Sequence, residues 1–262
     1  MKIALIGAGN VATHIGMALR AGGHEIVAVF SRTMEAAQEL SEKTGGRVVT
    51  SLNDTGGDAD VYLISVKDDV LASLLPDLCH GREEQVFIHT AGSIGMDVFA
   101  GKARHYGVLY PMQTFSKNRE VNFSVIPCFI EANDEQARNV IATLAGSISK
   151  RIHYMTSDER KHLHLAAVFA NNFVNHCYTL SEKILNHIGL PFDVMLPLID
   201  ETTHKVHHLD PLQAQTGPAV RGDKKVTTRQ AELLNENPTM REIYELMSQS
   251  IFENSERKND TQ

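Results

Sequence analysis

The first twelve residues, MKIALIGAGNVA, constrain the fold more than any other stretch of the chain. The apolar run Ile3 to Ile6 is short enough for one buried strand. It leads into Gly7, Gly9 and Ala12, spaced G-x-G-x-x-A, and then into a helical pattern of apolar residues. Glycines here permit a tight turn and the approach of a pyrophosphate, and a small third residue lets the helix pack on the strand. This context predicts a dinucleotide-binding turn; the alternative is a turn of the same shape that binds nothing.

The end of the second strand indicates which dinucleotide is bound. The strand is expected over residues 25–30 and is followed by Ser31 and Arg32. Sites that prefer NAD usually place an Asp or Glu here, which accepts hydrogen bonds from the ribose hydroxyls. A hydroxyl and a guanidinium suit a 2′-phosphate instead. The sequence therefore favours NADP over NAD; the alternative is that Arg32 is a solvated surface residue.

Other strands are expected to end at the same crevice, because ligands bind at the carboxyl edge of a parallel sheet. Buried strands are expected at 61–64 and 86–88, with further strands at 107–110, 124–130 and 150–153. The predicted cofactor-binding residues are Gly7, Ala8, Gly9, Asn10, Val11, Ser31, Arg32, Ser65, Val66, Lys67, Thr90, Ala91 and Gly92.

After Tyr154 the pattern changes from alternating strands and helices to helices alone. Thr156 and Glu159 form a capping-box sequence, and the helix that they open is expected to run to Ile188. The alternation before it predicts a mostly parallel, doubly wound sheet. The predicted fold class is therefore α/β, with a nucleotide-binding domain at 1–153 and an all-α domain at 154–262.

The long helix is predicted to carry a polar face that lines a cleft. At about 100° per residue, an apolar face is opposed by a polar one; the polar residues are His164, Asn171, Asn175, Tyr178 and Glu182, with Asn172 at the margin. The alternative is a hydrogen-bonded stripe between helices. Because the apolar face is large for a domain of this size, a homodimer through the C-terminal helices is expected.

Bulk properties exclude several classes of function. The net charge of −7 gives no support for nucleic-acid binding, and no apolar run is long enough to span a membrane. Isolated cysteines without a C-x-x-C pattern predict reduced thiols in a cytoplasmic protein. The His204, His207 and His208 cluster is without a nearby Cys or second-shell acid, so solvated histidines are preferred to a metal site. The polar segment 256–262 is expected to fray.

The chain resembles known nucleotide-binding reductases. Gly7 to Ala12, Ser31–Arg32 and Val61 to Val66 are similar to the NADP-binding domain shared by pyrroline-5-carboxylate reductase, deazaflavin-dependent NADP reductases and 6-phosphogluconate dehydrogenase. Nearly the full length resembles a bacterial NADP oxidoreductase family that pairs this Rossmann-like domain with a helical C-terminal domain of unknown function. The blocks that carry this resemblance are 89–93, 110–115, 164–172 and 216–223.

The resemblance implies hydride transfer but departs from one group of relatives. The 3-hydroxyacid dehydrogenase relatives carry a Lys-x-x-Asn pair on the long helix, and here Val168 stands at the lysine position. Another proton donor is then needed, and His89 and His164 are the candidates for a pKa near neutrality. The predicted catalytic residues are His89, His164, Asn171 and Asn172.

The remaining polar residues near the predicted crevice are assigned to the substrate. Tyr110, Gln113 and Thr114 are expected to orient it, and Arg221 to hold a carboxylate; the alternative for Arg221 is a salt bridge with Asp223. With Asn175 these complete the predicted substrate set. The sequence thus predicts an NADP-dependent oxidoreductase that acts on a small carbonyl or imine compound bound between the domains. The alternative is an NADP-binding sensor or regulatory protein without turnover.

Overall fold

The computed structural model describes residues 1–56, 58–82 and 84–259. The chain divides into two compact units, Met1–Asn172 and Phe173–Gln262. The first unit contains the whole sheet and also the first turns of the long helix that follows it. The domain boundary predicted after residue 153 stays a prediction.

The first unit alternates strands and helices through most of its length. Its strands are β1 Lys2–Ile6, β2 Glu25–Phe30, β3 Arg47–Val49, β4 Val61–Ile64, β5 Val86–His89, β6 His105–Pro111, β7 Cys128–Ala132 and β8 Ile152–Tyr154. Its α-helices are α1 Asn10–Ala21, α2 Met34–Thr44, α3 Asp68–Cys79, α4 Glu135–Ile148 and α5 Ser157–Ala167. Short 3-10 turns occupy Leu52–Thr55, Met96–Phe99 and Phe123–Val125.

The eight strands form one sheet in the order β3-β2-β1-β4-β5-β6-β7-β8. All neighbouring pairs are parallel except β6 and β7. Strand order reverses between β1 and β4, and such a switch point opens a crevice at the carboxyl ends of the strands. The predicted doubly wound α/β class followed by a helical region is confirmed.

The central strands of the sheet are buried on both faces by helices. Successive residues of β1 alternate between two cores: Ile3 and Leu5 pack with the side of α1 and α4, and Ala4 and Ile6 with the side of α3. All four side chains are at most 1% exposed. Burial on both faces explains why these strands read as continuous apolar runs rather than as alternating ones.

One predicted strand was partly wrong. The strand expected over 124–130 begins only at Cys128, and its first part is the 3-10 turn Phe123–Val125. Asn122 caps this turn, its side-chain oxygen accepting from the Ser124 amide. Pro127 has no amide hydrogen to donate to a strand ladder, so the sheet pairing starts after it.

The helix predicted to open at Thr156 is confirmed and contains an irregular turn. Thr156 and Glu159 form the capping box, and the helical run reaches His187 through α5, the π-helical segment Val168–Phe173 and α6 Val174–His187. A π-turn, with i→i+5 hydrogen bonds, takes up extra residues. Side-chain directions assigned at a constant 100° per residue, as the predicted polar face assumes, are therefore not valid across this segment.

The second unit is built from helices. Besides α6 it contains α7 Leu196–Lys205, α8 Pro211–Ala214, α9 Lys224–Glu232 and α10 Pro238–Asn259, with a 3-10 turn at Phe192–Met195. The tail expected to fray is helical up to Asn259, and residues 260–262 lie outside the described residues. Within the described ranges, no helix is both long and apolar enough to cross a membrane.

Candidate functional site

The glycine turn lies in a pocket of about 240 Å³ at the switch point of the sheet. The predicted cofactor residues that line it are Gly7, Ala8, Gly9, Ser31, Arg32, Ser65, Val66 and Lys67. Residues from the carboxyl ends of β1, β2 and β4 thus meet in one place, as parallel strands require. Sequence reasoning missed the apolar lining of Phe30, Val70 and Leu74, which carries no distinctive motif.

The two glycines of the turn have different surroundings. Gly7 has φ of +108°, and a Cβ on it would lie 2.3 Å from the Ser65 carbonyl oxygen. A side chain there is excluded by both conformation and space. Gly9 precedes α1, and a Cβ on it would meet nothing within 4 Å. Its lack of a side chain leaves open space beside the first amides of a helix, which is the environment that a phosphate needs.

The pocket carries two cations and no acid. Arg32 and Lys67 line it and are exposed. Neither side chain makes a hydrogen bond or ion pair with another residue in the described part of the chain, although the Lys67 carbonyl oxygen accepts from the Val70 and Leu71 amides. Two unpaired cations at one rim favour an anionic ligand, and a guanidinium can bind a phosphate through two hydrogen bonds.

The remaining predicted cofactor residues, Asn10, Val11 and 90–92, do not line this pocket. Asn10 opens α1, and its side-chain amide donates to the Phe115 carbonyl oxygen at 2.8 Å. Val11 is half-buried in the same helical turn. The Thr90 hydroxyl lies 2.9 Å from the Ser65 hydroxyl, which joins the ends of β5 and β4.

The loop after β6 is fastened to α1 by a residue that sequence reasoning missed. His14 stacks on Phe115 with ring centroids 5.1 Å apart, and its Nε2 donates to the Ser116 carbonyl oxygen at 2.9 Å. The loop's Gln113 and Thr114, predicted to orient substrate, are exposed. The Gln113 side-chain oxygen accepts from the Thr114 amide at 2.9 Å, so the two residues contact each other within the loop.

His89 does not have the near-neutral pKa expected of it. The side chain is completely buried at the end of β5 and stacks on Phe99, with centroids 5.7 Å apart. Burial, and after it the Arg160 charge, lower the pKa of His89 to about 3. The Ala91 amide donates to His89 Nδ1 at 3.1 Å. A neutral, enclosed imidazole fastens this loop and does not exchange protons with solvent near pH 7.

His164 and Tyr110 form the polar pair of this region. The Tyr110 hydroxyl lies 2.9 Å from His164 Nδ1, and the two rings meet edge to face with centroids 6.0 Å apart. Both residues are half-buried, and burial raises the pKa of Tyr110 more than the Arg160 charge lowers it. Gly92 lies against both rings. Three predicted residues from β6, α5 and the loop after β5 are therefore in contact.

An ion pair between α5 and β7 fixes this helix against the sheet, and sequence reasoning missed it. Arg160 is 1% exposed and is paired with Glu131 of β7. The Ser157 amide and hydroxyl donate to the same carboxylate at 2.8 and 2.7 Å. The only sequence signal was Arg160's position one turn before His164, since residues four apart share a helix face.

Other predicted site residues stand outside these contacts. Asn171 and Asn172 are exposed on the π-helical segment, and Asn175 is exposed on α6. Arg221 is exposed and forms no ion pair with Asp223, which instead caps α9 by accepting from the Val226 amide at 3.2 Å. The alternative salt bridge with Asp223 is therefore not formed, and the assignment of Arg221 to a substrate carboxylate stays a prediction.

The three cysteines are free thiols in buried or half-buried surroundings. Cys79 and Cys128 are buried and Cys177 is half-buried, all three as free thiols. Burial raises the pKa of Cys79 to about 12 and that of Cys128 to about 11.

The His204 and His208 rings are 4.8 Å apart. Among the described residues, no group of three or more His, Cys, Asp or Glu side chains could hold a metal ion.

Two sequence families match the chain in succession. Residues 2–92 match the family described as "NADP oxidoreductase coenzyme F420-dependent", and residues 126–251 match a domain of unknown function, DUF2520. No curated protein matches the chain significantly. The two matches together cover most of both units.

Solved structures give the same fold over nearly the full length. A Bacteroides fragilis protein, provisionally named an NADP oxidoreductase, is 49% identical with a TM-score of 0.92, covering 96% of this chain and 98% of that chain. A Thermotoga maritima protein is 21% identical, with a TM-score of 0.80 and coverage of 97% and 99%. Plasmodium falciparum pyrroline carboxylate reductase, solved with NADP bound, is 11% identical, with a TM-score of 0.61 and coverage of 96% and 98%. At the two lower identities the likeness concerns the fold alone.

Proposed function

We propose that this chain, which belongs to the family that joins an NADP oxidoreductase domain to DUF2520, transfers hydride between NADPH and a small carbonyl or imine substrate. The membership rests on 49% identity over nearly the whole of both chains and confirms the predicted resemblance. The family is one of oxidoreductases that use NADP. The substrate class goes beyond the family and is the proposal.

The observation that carries the proposal is the glycine turn with its open space. Gly9 leaves room beside the first amides of α1, and no side chain caps them. The pyrophosphate would lie there, and Arg32 with Lys67 would hold the 2′-phosphate. Phe30, Val70 and Leu74 supply an apolar wall that suits an adenine ring. The residues present therefore fit NADP.

The second requirement of the reaction is a proton, and His164 with Tyr110 is suited to supply it. When bound, NADPH supplies the hydride that forms the new C–H bond and is itself oxidised to NADP⁺. The substrate oxygen or nitrogen then takes a proton, for which an imidazole is the common donor near neutral pH. We assign this role to His164, whose Nδ1 is held by Tyr110. Asn171 and Asn172 stay predictions for the same site.

A sensor without turnover is the second candidate function. Val168, at the place where the hydroxyacid dehydrogenase relatives carry lysine, favours it. The Tyr110–His164 pair favours the enzyme, because a cofactor sensor does not need a half-buried proton donor. Placement of the substrate between the domains, with Asn175 and Arg221 as contacts, stays a prediction.

The deciding experiment is a paired titration with NADPH and NADH, followed by nicotinamide fluorescence, and then a screen of small carbonyls and imines. We expect NADPH to bind at least ten times more tightly than NADH. His164→Ala should keep NADPH affinity and lower turnover by about 10²-fold or more. The matched control is His162→Ala, an exposed histidine on the same helix. Binding of neither cofactor would remove the proposal, and binding without turnover of any substrate would favour the sensor.

A homodimer through the C-terminal helices is part of this proposal. Most of the exposed large apolar side chains in the described residues lie in the second unit, including Leu198 at 63%, Leu233 at 84% and Leu246 at 66%. Exposed apolar surface of this extent is typical of association surfaces. A cytoplasmic location with reduced thiols remains a prediction from the sequence.

A further inference from the structure

We propose that Gly92 is a positioning residue, whose missing side chain creates the space in which His164 and Tyr110 form their hydrogen bond. The inference deepens the proposed function, since it concerns the orientation of the proposed proton donor. The sequence predicts Gly92 as a cofactor-binding residue, and the positioning role goes beyond that prediction.

The need for glycine at this position is steric. A Cβ on Gly92 would lie 2.5 Å from His164 Nδ1, 2.8 Å from His164 Cγ and 2.9 Å from Tyr110 Cζ. Gly92 is not among the glycines with positive φ, so its backbone conformation is open to any residue. A glycine is therefore needed at position 92 because the two rings approach the backbone closely, and not because the backbone conformation requires one.

The rings have little freedom to move away together, because α5 is fastened to the loop that contains Gly92. Arg160 Nη2 donates to the Ile94 carbonyl oxygen at 2.6 Å, and the Met96 amide donates to the Ser157 hydroxyl at 3.0 Å. Ser157 and Arg160 are both held by Glu131. Helix α5 is thus held to β7 by the Arg160–Glu131 ion pair and to the loop by hydrogen bonds of Arg160 and Ser157. Disruption of the ion pair would leave the buried Arg160 charge uncompensated.

The consequence for the site is a fixed imidazole. His164 is one helical turn beyond Arg160, and its Nδ1 is engaged by Tyr110. Its Nε2 has no hydrogen-bond partner among the residues that the structure describes. A ring fixed through one nitrogen presents the other in a defined orientation, as proton donors require. A methyl group at position 92 would separate the rings without removing either one.

The test is Gly92→Ala, with the His164 ring observed directly by histidine side-chain NMR over a pH titration. The His164 signal is assigned by its disappearance in His164→Gln. We expect Gly92→Ala to move the chemical shifts and titration midpoint of His164 in the same direction as Tyr110→Phe, which removes the hydrogen bond itself. The matched control is Gly146→Ala, because a Cβ there meets only Ile152 Cδ1 at an ordinary 3.8 Å.

Turnover supplies the second readout. With any substrate that the screen yields, Gly92→Ala should lower kcat by about tenfold and alter its pH profile, whereas a merely structural defect would lower the melting temperature and leave the pH profile unchanged. If Gly92→Ala does not fold, Ser157→Ala replaces it, since loosening the loop should shift the His164 titration in the same direction by less.

The outcomes separate this inference from the proposed function. A His164 titration that is identical in wild type and Gly92→Ala, but altered in Tyr110→Phe, overturns the role of Gly92. A shifted titration in a protein that turns over no substrate supports the positioning role and counts against the enzyme.

Discussion

The two units of this chain bury their apolar residues to very different extents. In the first, helices cover both faces of the sheet, and side chains such as Ile3, Tyr62 and Phe87 are completely enclosed. In the second, the buried apolar side chains among the described residues are Leu185, Ala231 and Met240. The first unit thus encloses a large apolar core, whereas the second leaves many of its large apolar side chains exposed.

The contrast follows from geometry. A parallel sheet must be covered on both faces, so its strands are apolar throughout and its core closes within one chain. A helix buries only one stripe of its surface, and a small set of helices encloses little volume. Apolar residues beyond that stripe then remain exposed until a second surface meets them.

The largest expected effect comes from a cavity in the first core. Phe87 is fully buried and stacks on Tyr62 with ring centroids 5.1 Å apart. Phe87→Ala should lower the free energy of unfolding by about 3–5 kcal/mol, measured by urea denaturation with circular dichroism. Leu246→Ala in the second unit, at a site exposed in the single chain, should change it by less than about 0.5 kcal/mol at protein concentrations where the chain is monomeric. Equal losses of unfolding free energy in the two variants would contradict the difference in apolar burial between the two units.

The buried His89 should make the first unit sensitive to acid. In the unfolded chain this imidazole takes up a proton near its ordinary pKa of 6.5, but in the folded state burial holds the pKa at about 3. Between those values the unfolded state binds more protons, so stability falls as the pH falls from 6.5 towards 3. The free energy of unfolding lost over this pH range through His89 is on the order of a few kcal/mol.

Urea denaturation at pH 8 and pH 5 measures this effect. His89→Asn keeps an acceptor for the Ala91 amide and should reduce the difference between the two midpoints. His208→Asn, an exposed histidine of the second unit, is the control and should leave that difference unchanged. An undiminished acid loss in His89→Asn would show that other groups are responsible.

Cofactor selectivity should depend on the first unit alone. Arg32→Ala should weaken NADPH binding by about 10- to 100-fold, or about 1.4–2.8 kcal/mol, and leave NADH affinity nearly unchanged. Arg221→Ala removes an exposed arginine from the second unit and should not alter the affinity for either nucleotide. Fluorescence titration of both variants is the measurement. An equal loss of NADPH and NADH affinity in Arg32→Ala would remove Arg32 as the selective residue.

The smallest effect on folding is expected where the effect on assembly is largest. Leu233→Ser combined with Leu246→Ser replaces two exposed leucines of the second unit and should change unfolding free energy by less than about 1 kcal/mol in total. If a second copy covers this surface, the double variant should sediment as a monomer at concentrations where the wild type is a dimer. A wild-type protein that is already monomeric at micromolar concentration would contradict the dimer.

Much of the first unit was predictable from local pattern. The strands at β2 and β4 were predicted with the observed bounds, and the capping box at Thr156 opens the expected helix. The strand expected from Ser124 was not predictable by periodicity, because a 3-10 turn and a proline interrupt an otherwise apolar run. The π-helical turn at Val168–Phe173 was also hidden, since its residues fit an ordinary helical pattern.

The sequence by itself determined the cofactor turn. Its glycines act through their own backbone and immediate neighbours, and strand order then brings Ser31, Arg32 and Lys67 to the same edge. Tertiary structure alone decided the ionisation of His89 and the contact among Gly92, Tyr110 and His164. Burial and approach depend on residues distant in the chain, such as Glu131 and Arg160, whose pairing leaves no periodic signal. Spacing along a sequence specifies which residues share an element, whereas the pKa of a side chain depends on everything packed around it.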